Sequence, residues 1–589
     1  MSTTRSRWAS RALTGATLLL VLAAPVMPAV AGGSEAAWQS VVVSGTDADP
    51  QAPARAVKAV GGEVSQQLGV IRGVSARVPA AAVGRLRRAP GVRAVTPDAR
   101  GRLMGISPTL GYDVTEDDGS LYNIAQVTRA KDAWTSKWTG KGVDIALIDS
   151  GVSPVKGVTS GNVLHGPDLS FESQVPELEH LDSYGHGTHM ASIIAGRDQV
   201  DTPIGYAQSN TGRFTGIAPD ARLISIKVAA NDGATDVSQV IAAIDWVVEH
   251  AKDPGFNIKV LNLSYGTDAV QDPTVDPLCF AVENAWRAGI TVVVASGNDG
   301  TNTSRLANPA QDPLIIAVGA DDPMGTDNVD NDQLPPWAQL GSSSGRHVDL
   351  IAPAVHVLGL RVPGSRIDQE YPQAVVGGRF FRGSGTSQGA AVVSGLAALY
   401  LQKNPTMTPD QVKKALRMTA VVPNALKAYT TTVGVPDITK ALAQKPATVQ
   451  AATGATGRGS LEAARGSFHV NDGYSDLTGE QDIFGAAWDG TTWATATSTG
   501  TAWDGGTWNG NAWSGSAWSG NSWSGAAWSG NSWSGNAWSG NAWSGNAWTG
   551  NAWTGNAWTG NAWTGNAWSG SAWSGNSWSG NSWSSADWS

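Results

Sequence analysis

Between residues 120 and 443 the chain alternates short, nearly unbroken apolar runs with longer stretches of helical period. The runs VDIALID (143–149), ARLISIKV (221–228), KVLNLSYG (259–266), ITVVVASGN (290–298) and LIIAVGA (314–320) are rich in Val, Ile and Leu. Apolar residues at every position, rather than at alternate ones, describe strands buried on both faces of a parallel sheet. Between them lie segments such as 238–251, with Val240, Ile241, Ile244, Val247 and Val248 on one helical stripe. The alternation predicts an α/β fold, a mostly parallel sheet with helices on both faces. Sites in such sheets form where the strands end at their C-terminal side. The polar residues there are Asp149, Ser264 and Asn298.

Residues 35–104 follow another pattern. Strand-like runs at 38–43, 63–65, 73–78 and 92–95 are separated by helical stretches at 52–60 and 80–88. This β-α-β-β-α-β order predicts a small ferredoxin-like α+β unit. It carries ten Lys/Arg against five Asp/Glu, whereas the whole chain has a net charge of -9. A basic unit and an acidic remainder are electrostatically complementary. Ahead of it, Arg5, Arg7 and Arg11 precede an apolar stretch at 12–26 and a small-x-small site at Ala29-Val30-Ala31. Residues 1–31 therefore read as an export signal, and the product as secreted and extracellular. No later stretch reads as a membrane span, so no membrane contact is expected once the signal is cut.

Beyond the α/β region, 444–487 is rich in Ala, Gly and Thr and reads as a linker with one more ordered-looking patch around Gln481-Asp482-Ile483-Phe484. From Trp503 to Trp588 a tryptophan recurs at every fifth residue, and Trp488 and Trp493 keep the same phase. The tail 488–589 is thus a Trp/Gly/Ser/Asn pentapeptide repeat. A period of five is neither 3.6 nor 2, which leaves three readings. One is a solenoid of stacked units, another a disordered or self-associating chain, and the third a surface that stacks on cell-wall sugars.

The acidic balance argues against nucleic acid as a partner. The one cysteine, Cys279, excludes an internal disulfide framework and sits in the apolar run Leu278 to Val282, which reads as core.

The stretch Gly383-Ser384-Gly385-Thr386-Ser387-Gln388-Gly389 runs directly into an apolar helical segment. Ser387 falls at a helix N-terminus, where free N–H groups and the helix dipole favour an oxyanion. Gly385 to Gly389 also fits the G-x-S-x-G elbow, but that fold needs an acid and then a His after the serine. Only His469 follows Ser387, and it sits in the expected linker. Upstream, His186 lies between two glycines in Asp182-Ser183-Tyr184-Gly185-His186-Gly187-Thr188-His189, and Asp149 ends a strand before Ser150-Gly151. The two histidines three apart suggest a metal pair, but no Glu or Cys nearby supports one.

Taken together, Asp149-Ser150-Gly151, His186-Gly187-Thr188-His189 and Gly385-Thr386-Ser387, in that order, resemble the subtilisin-like serine proteases, or subtilases. The resemblance implies that Ser387 is the nucleophile, His186 its general base and Asp149 the group orienting the imidazole. It implies an oxyanion-hole role for Asn298 in Ala295-Ser296-Gly297-Asn298. It further implies that peptide substrate adds as a strand against Gly233-Ala234-Thr235 and Ser264-Tyr265-Gly266. Ala295, Ser296 and Gly297 would line the primary pocket, and their small, uncharged character suggests apolar or aromatic preference. On the same resemblance, 35–104 is an inhibitory propeptide, cut off autocatalytically around 100–120, and the catalytic domain spans 120–443. The chemistry requires no cofactor. The acidic loop from Asp321 to Asp332 is open to two readings, a structural calcium site or a solvated loop.

The family usually has Met-Ala-x-Pro after the serine, whereas this chain has Gln388-Gly389-Ala390-Ala391. The reading is a secreted serine endopeptidase made as a zymogen and acting on proteins and peptides. The alternative is a weakly active or inactive protease-fold scaffold whose Trp-rich tail binds a cell wall or surface, or self-associates.

Overall fold

The computed structural model describes residues 38–46, 49, 51–68, 72–97, 110–175, 177–342, 345–427, 430–447, 450–451, 454–471, 475–504, 506–512 and 585–587. The expected export signal, the junction between 98 and 109 and most of the Trp repeat lie outside them. The chain divides into two compact units, 1–103 and 104–589.

The first unit contains β1 (Trp38–Gly45), α1 (Ala52–Ala59), β2 (Glu63–Leu68), β3 (Gly73–Pro79), α2 (Val83–Leu86) and β4 (Val92–Pro97). Its sheet is antiparallel in the order β2-β3-β1-β4, which is the ferredoxin-like arrangement. Val41, Val43, Val74, Ala76 and Val78 alternate inward from β1 and β3 onto Val57 of α1 and Leu86 of α2. A period of two on the strands thus closes a small core against two helices.

The second unit begins with α3 (Leu121–Val127) and α4 (Ala130–Thr135), then β5 (Asp144–Asp149), β6 (Val163–Asp168), α5 (His186–Ala195), α6 (Pro203–Ser209) and β7 (Arg222–Lys227). It continues with α7 (Val237–His250), β8 (Ile258–Leu263), α8 (Pro277–Arg287), β9 (Thr291–Ala295), β10 (Ile316–Asp321) and β11 (Leu350–Pro353). Seven strands form one parallel sheet in the order β11-β10-β9-β8-β5-β7-β6. All six residues of β5 are buried, so helices must cover both faces of the sheet.

After the sheet come β12 (Val357–Leu360), α9 (Arg366–Glu370), β13 (Val375–Val376) and β14 (Phe380–Gly385), which form a small antiparallel sheet. β14 leads without a break into α10 (Thr386–Lys403), and α11 (Pro409–Met418) and α12 (Ile438–Leu442) complete the body. Sixteen consecutive residues of α10, Thr386 to Leu401, are buried, so this is a helix through the core rather than an amphipathic one. Local chemistry sets the helix starts. Asp236 caps α7 in a reciprocal box with Gln239, Asp276 caps α8 ahead of Pro277, and Thr408 caps α11 ahead of Pro409.

One expectation needs correcting. The stretch 444–487 is not a free linker, because it is laid on the sheet-bearing body and folds there. It forms α13 (Leu461–Arg465), buries Leu461, Ala464, Ile483 and Phe484 in the same core and encloses Arg465 completely. The first Trp units continue this packing through α14 (Gly490–Thr499) and three short strands, β15 (Trp503–Asp504), β16 (Thr507–Trp508) and β17 (Asn511–Ala512). Trp493 and Trp508 both donate their indole N–H to Asp245 Oδ2 of α7, at 2.8 and 2.9 Å. At residues 585–587, β18 (Ser585–Asp587) pairs antiparallel with the end of β14.

Candidate active site

Asp149 is the last residue of β5, and His186 opens α5. His186 Nδ1 lies 2.7 Å from Asp149 Oδ1, and both side chains are buried. A carboxylate can only accept, so the proton of this bond sits on Nδ1. The same Asp149 oxygen accepts the Ser150 N–H at 2.8 Å.

This contact depends on two absent side chains. A Cβ at Gly187 would lie 2.2 Å from the Gly151 carbonyl oxygen, so any larger residue would push α5 off the Asp149 turn. Gly185 has φ +109°, and a Cβ there would meet Ile367 and Ser365 at 2.6 Å. The His between two glycines is therefore a packing requirement as well as a motif.

A third carboxylate completes the support. Asp182 accepts the N–H groups of Gly185 and Thr188 at 2.6 and 2.7 Å and the Ser150 hydroxyl at 2.7 Å. Ser150 Oγ in turn accepts the Gly187 N–H at 2.9 Å. Burial pushes the Asp182 carboxyl above its ordinary range, against the opposing effect of these donors. Sequence reasoning assigned Asp182 no role. Its signal was present, since an Asp a few residues ahead of a helix start is a capping pattern.

Ser387 is the second residue of α10, so its N–H is among the helix donors with no intrahelical acceptor. α10 packs along α5 and over β8, β9 and β10, which brings the serine turn to the end of the sheet that carries Asp149. Ser387 Oγ lies 3.5 Å from the carbonyl oxygen of Ser264, just past the end of β8. Gly389 lets the helix approach this closely, because a Cβ there would sit 3.0 Å from the Gly319 carbonyl. Gln388 is fully buried beside the nucleophile position.

Asn298 follows β9 by three residues. Its Oδ1 accepts from Thr386 N at 3.0 Å and lies 3.2 Å from Thr386 Oγ1. That pins the amide with its carbonyl toward α10 and makes the opposite end, Nδ2, a donor. Gly297, with φ +107°, donates its N–H to Thr386 Oγ1 at 3.2 Å. Thr386 thus ties the Asn298 segment to the serine helix, a role its sequence position gave no reason to expect.

The other candidate residues occupy loops at the same end of the strands. Gly233, Ala234 and Thr235 form a buried turn ahead of α7, closed by Gly233 N–H to Ala230 O at 3.0 Å. Ser264, Tyr265 and Gly266 leave β8 and are buried as well. Ala295 closes β9, while Ser296 donates N–H to Val318 O at 3.0 Å and Oγ to Gln339 O at 2.7 Å.

His189 is not a metal partner of His186. It lies fully buried with Nε2 3.0 Å from Phe381 O and 3.1 Å from Gly359 N, and burial pushes its pKa down to about 3. Cys279 is buried in α8, and burial drives its thiol well above the ordinary value, so it packs as a small hydrophobe. In the acidic loop, Asp321 and Asp332 are both buried and meet each other. Burial raises both, Asp332 to about 6; the Asp332 charge adds to the rise of Asp321, and the charges of Asp322 and Asp330 add to that of Asp332. Among the described residues no group of three or more His, Cys, Asp or Glu converges.

The Subtilase family model matches residues 140–458, more than half of the chain, and the chain belongs to that family. A second model, described as "Putative peptidase inhibitor domain", matches residues 21–98. Serine protease AprX of Bacillus subtilis is 35% identical over 285 residues, covering 47% of this chain and 61% of AprX. Subtilisin E of the same organism is 30% identical over 369 residues, covering 61% of this chain and 78% of subtilisin E. The chain thus spans less than two thirds of AprX. Among solved structures, fervidolysin from Fervidobacterium pennivorans, a keratinolytic enzyme related to subtilisin, aligns with a TM-score of 0.44 at 23% identity. That alignment covers 71% of this chain and 62% of fervidolysin.

Proposed function

We propose that the chain is a secreted serine endopeptidase, made as a zymogen, that hydrolyses peptide bonds through an acyl-enzyme on Ser387. The observation that carries this reading is the buried 2.7 Å bond between Asp149 and His186, on the strand end over which the α10 serine turn is packed. With Nδ1 protonated toward Asp149, Nε2 is the basic nitrogen and takes the Ser387 proton as Oγ attacks the substrate carbonyl. The imidazolium then protonates the leaving amine, and water, activated by the same nitrogen, releases the acyl group. Asp149 stabilises the imidazolium and keeps its own proton off throughout. The Ser387 N–H and Asn298 Nδ2 donate to the oxyanion.

Peptide substrate lies as an added strand between 233–235 and 264–266, with its side chain against Ala295, Ser296 and Gly297. Those three residues carry no charge, which supports a preference for apolar or aromatic side chains. The unit at 35–104 is the chain's own inhibitor, supported by the inhibitor-domain match over 21–98. Labelling with a serine-directed fluorophosphonate tests the reading. The mature protein should label stoichiometrically and Ser387→Ala should not; absence of labelling in both would refute the enzyme.

A further inference from the structure

The segment 444–487 touches the body at two places that matter. Asp236 directly follows Gly233-Ala234-Thr235, and Thr267 directly follows Ser264-Tyr265-Gly266. Consecutive residues of the short helix α13 hold both. Arg465 Nε donates to Asp236 Oδ1 at 2.6 Å and Nη2 to Oδ2 at 3.3 Å, a forked pair with no exposure of the arginine. Ala464, the preceding residue, accepts the Thr267 hydroxyl at 2.7 Å through its carbonyl.

The remaining donors of Arg465 are also occupied, by Glu462 at 3.1 Å, Gly479 O at 2.8 Å and Gln481 O at 2.5 Å. Five bonds from one guanidinium leave no slack in its position. Around it the contacts continue on both sides. Ile483 donates N–H to Ser238 Oγ at 3.0 Å, on the Asp236 side. On the Thr267 side, Ser467 bonds both oxygens of Asp268 at 2.7 and 2.6 Å. Gly466 permits that approach, since a Cβ there would lie 2.1 Å from Asp268 Oδ1. Although burial opposes its ionisation, Asp236 stays below the ordinary carboxylate range because of the Arg465 charge and hydrogen bonds.

We propose that Arg465, with Ala464, is a positioning residue that sets the spacing between the two peptide-binding edges, and so tunes the binding of extended substrates without touching the reaction. This rests on the reading of 233–235 and 264–266 as those edges. A substrate strand bonded on both sides needs a gap of fixed width. The sheet fixes one end of each edge, and α13 ties together the residues where the edges leave.

The test compares a tetrapeptide amide, long enough to pair with both edges, with a single-residue ester that reaches neither. Arg465→Lys keeps the charge but loses the fork. It should raise KM for the tetrapeptide about tenfold, with kcat and both ester parameters unchanged, the pattern of lost ground-state binding. An equal loss on both substrates, or no change on either, overturns the proposal. If Arg465→Lys does not fold, Thr267→Val removes only the Ala464 bond at nearly constant volume. The same split in KM, at about threefold, is then expected, and its absence overturns the proposal equally. Main-chain N-methylation of the tetrapeptide should raise its KM in the unaltered protein. If it does not, the edges themselves have been misread, a failure distinct from that of Arg465.

Discussion

Thr386 donates its main-chain N–H to the Asn298 side-chain oxygen at 3.0 Å, one residue before the nucleophile of the proposed reaction. The bond consumes the acceptor end of the amide and leaves a donor at the other. Asn298→Ala should therefore lower kcat by about 10²–10³ with little change in KM, a range measured for such a donor in subtilisin itself. Asn298→Asp should be as inactive, because a carboxylate has no proton to offer the oxyanion. Steady-state kinetics on one peptide amide checks both.

Asp149→Asn tests the orienting bond. The amide can present N–H where the carboxylate accepted, which forces Nδ1 to accept and puts the imidazole proton on Nε2, the wrong nitrogen. The expected loss is about 10⁴ in kcat with the fold intact. An unchanged melting temperature beside that loss would separate chemistry from packing.

Gly187→Ala should be damaging out of proportion to one methyl group. Its Cβ would overlap the Gly151 carbonyl at 2.2 Å, and main chain does not yield as a flexible side chain does. The helix carrying His186 must move away from Asp149. Loss of labelling by a fluorophosphonate with secondary structure retained is the expected outcome.

Ser387→Ala should accumulate as a precursor with residues 35–104 still attached. Mass spectrometry of the purified protein reads this directly. Normal removal of that unit in the variant would assign the cut to another protease.

Asp245 supplies a pH prediction. Burial, aided by Glu249, pushes its carboxyl up to about 6, against the donors from Thr497, Trp493 and Trp508. Since the folded pKa lies above the unfolded value of 3.8, the folded state holds the proton more tightly. Stability from this group is complete below about pH 4 and is lost as pH rises through about 6. Asp482, also raised to about 6 by burial, acts in the same direction. Asp245→Asn should flatten the fall in melting temperature across that window, measured by calorimetry between pH 4 and pH 7.

How much of this was legible depends on where the information sits along the chain. Asp149, His186 and Ser387 each lie in a short contiguous motif, and their order excluded the competing elbow fold. The buried strands declared themselves as unbroken apolar runs, and the ferredoxin-like unit by its element order. Arg465 was invisible for the opposite reason. Its four partner residues lie on both sides of it in sequence, and Asp236 is 229 residues away. Its neighbourhood of Ala and Gly has the composition of a flexible connector, and a buried ion pair leaves no periodic trace. The first Trp units were obscured in a similar way. A period of five predicts neither helix nor strand, yet 490–499 is helical, because Asp489 caps it and Gly500 ends it in the left-handed region.

The pairing of Trp493 and Trp508 with a single carboxylate has a mechanical consequence. A pull applied to the chain beyond residue 512 first meets β16 and β17 and then two indoles hydrogen-bonded to α7. Tension applied to the chain directly after residue 512 is therefore delivered to a helix with ten buried residues. At 585–587, by contrast, the tail is paired with Ser384 and Gly385 directly ahead of the serine helix, so a pull there loads α10 itself.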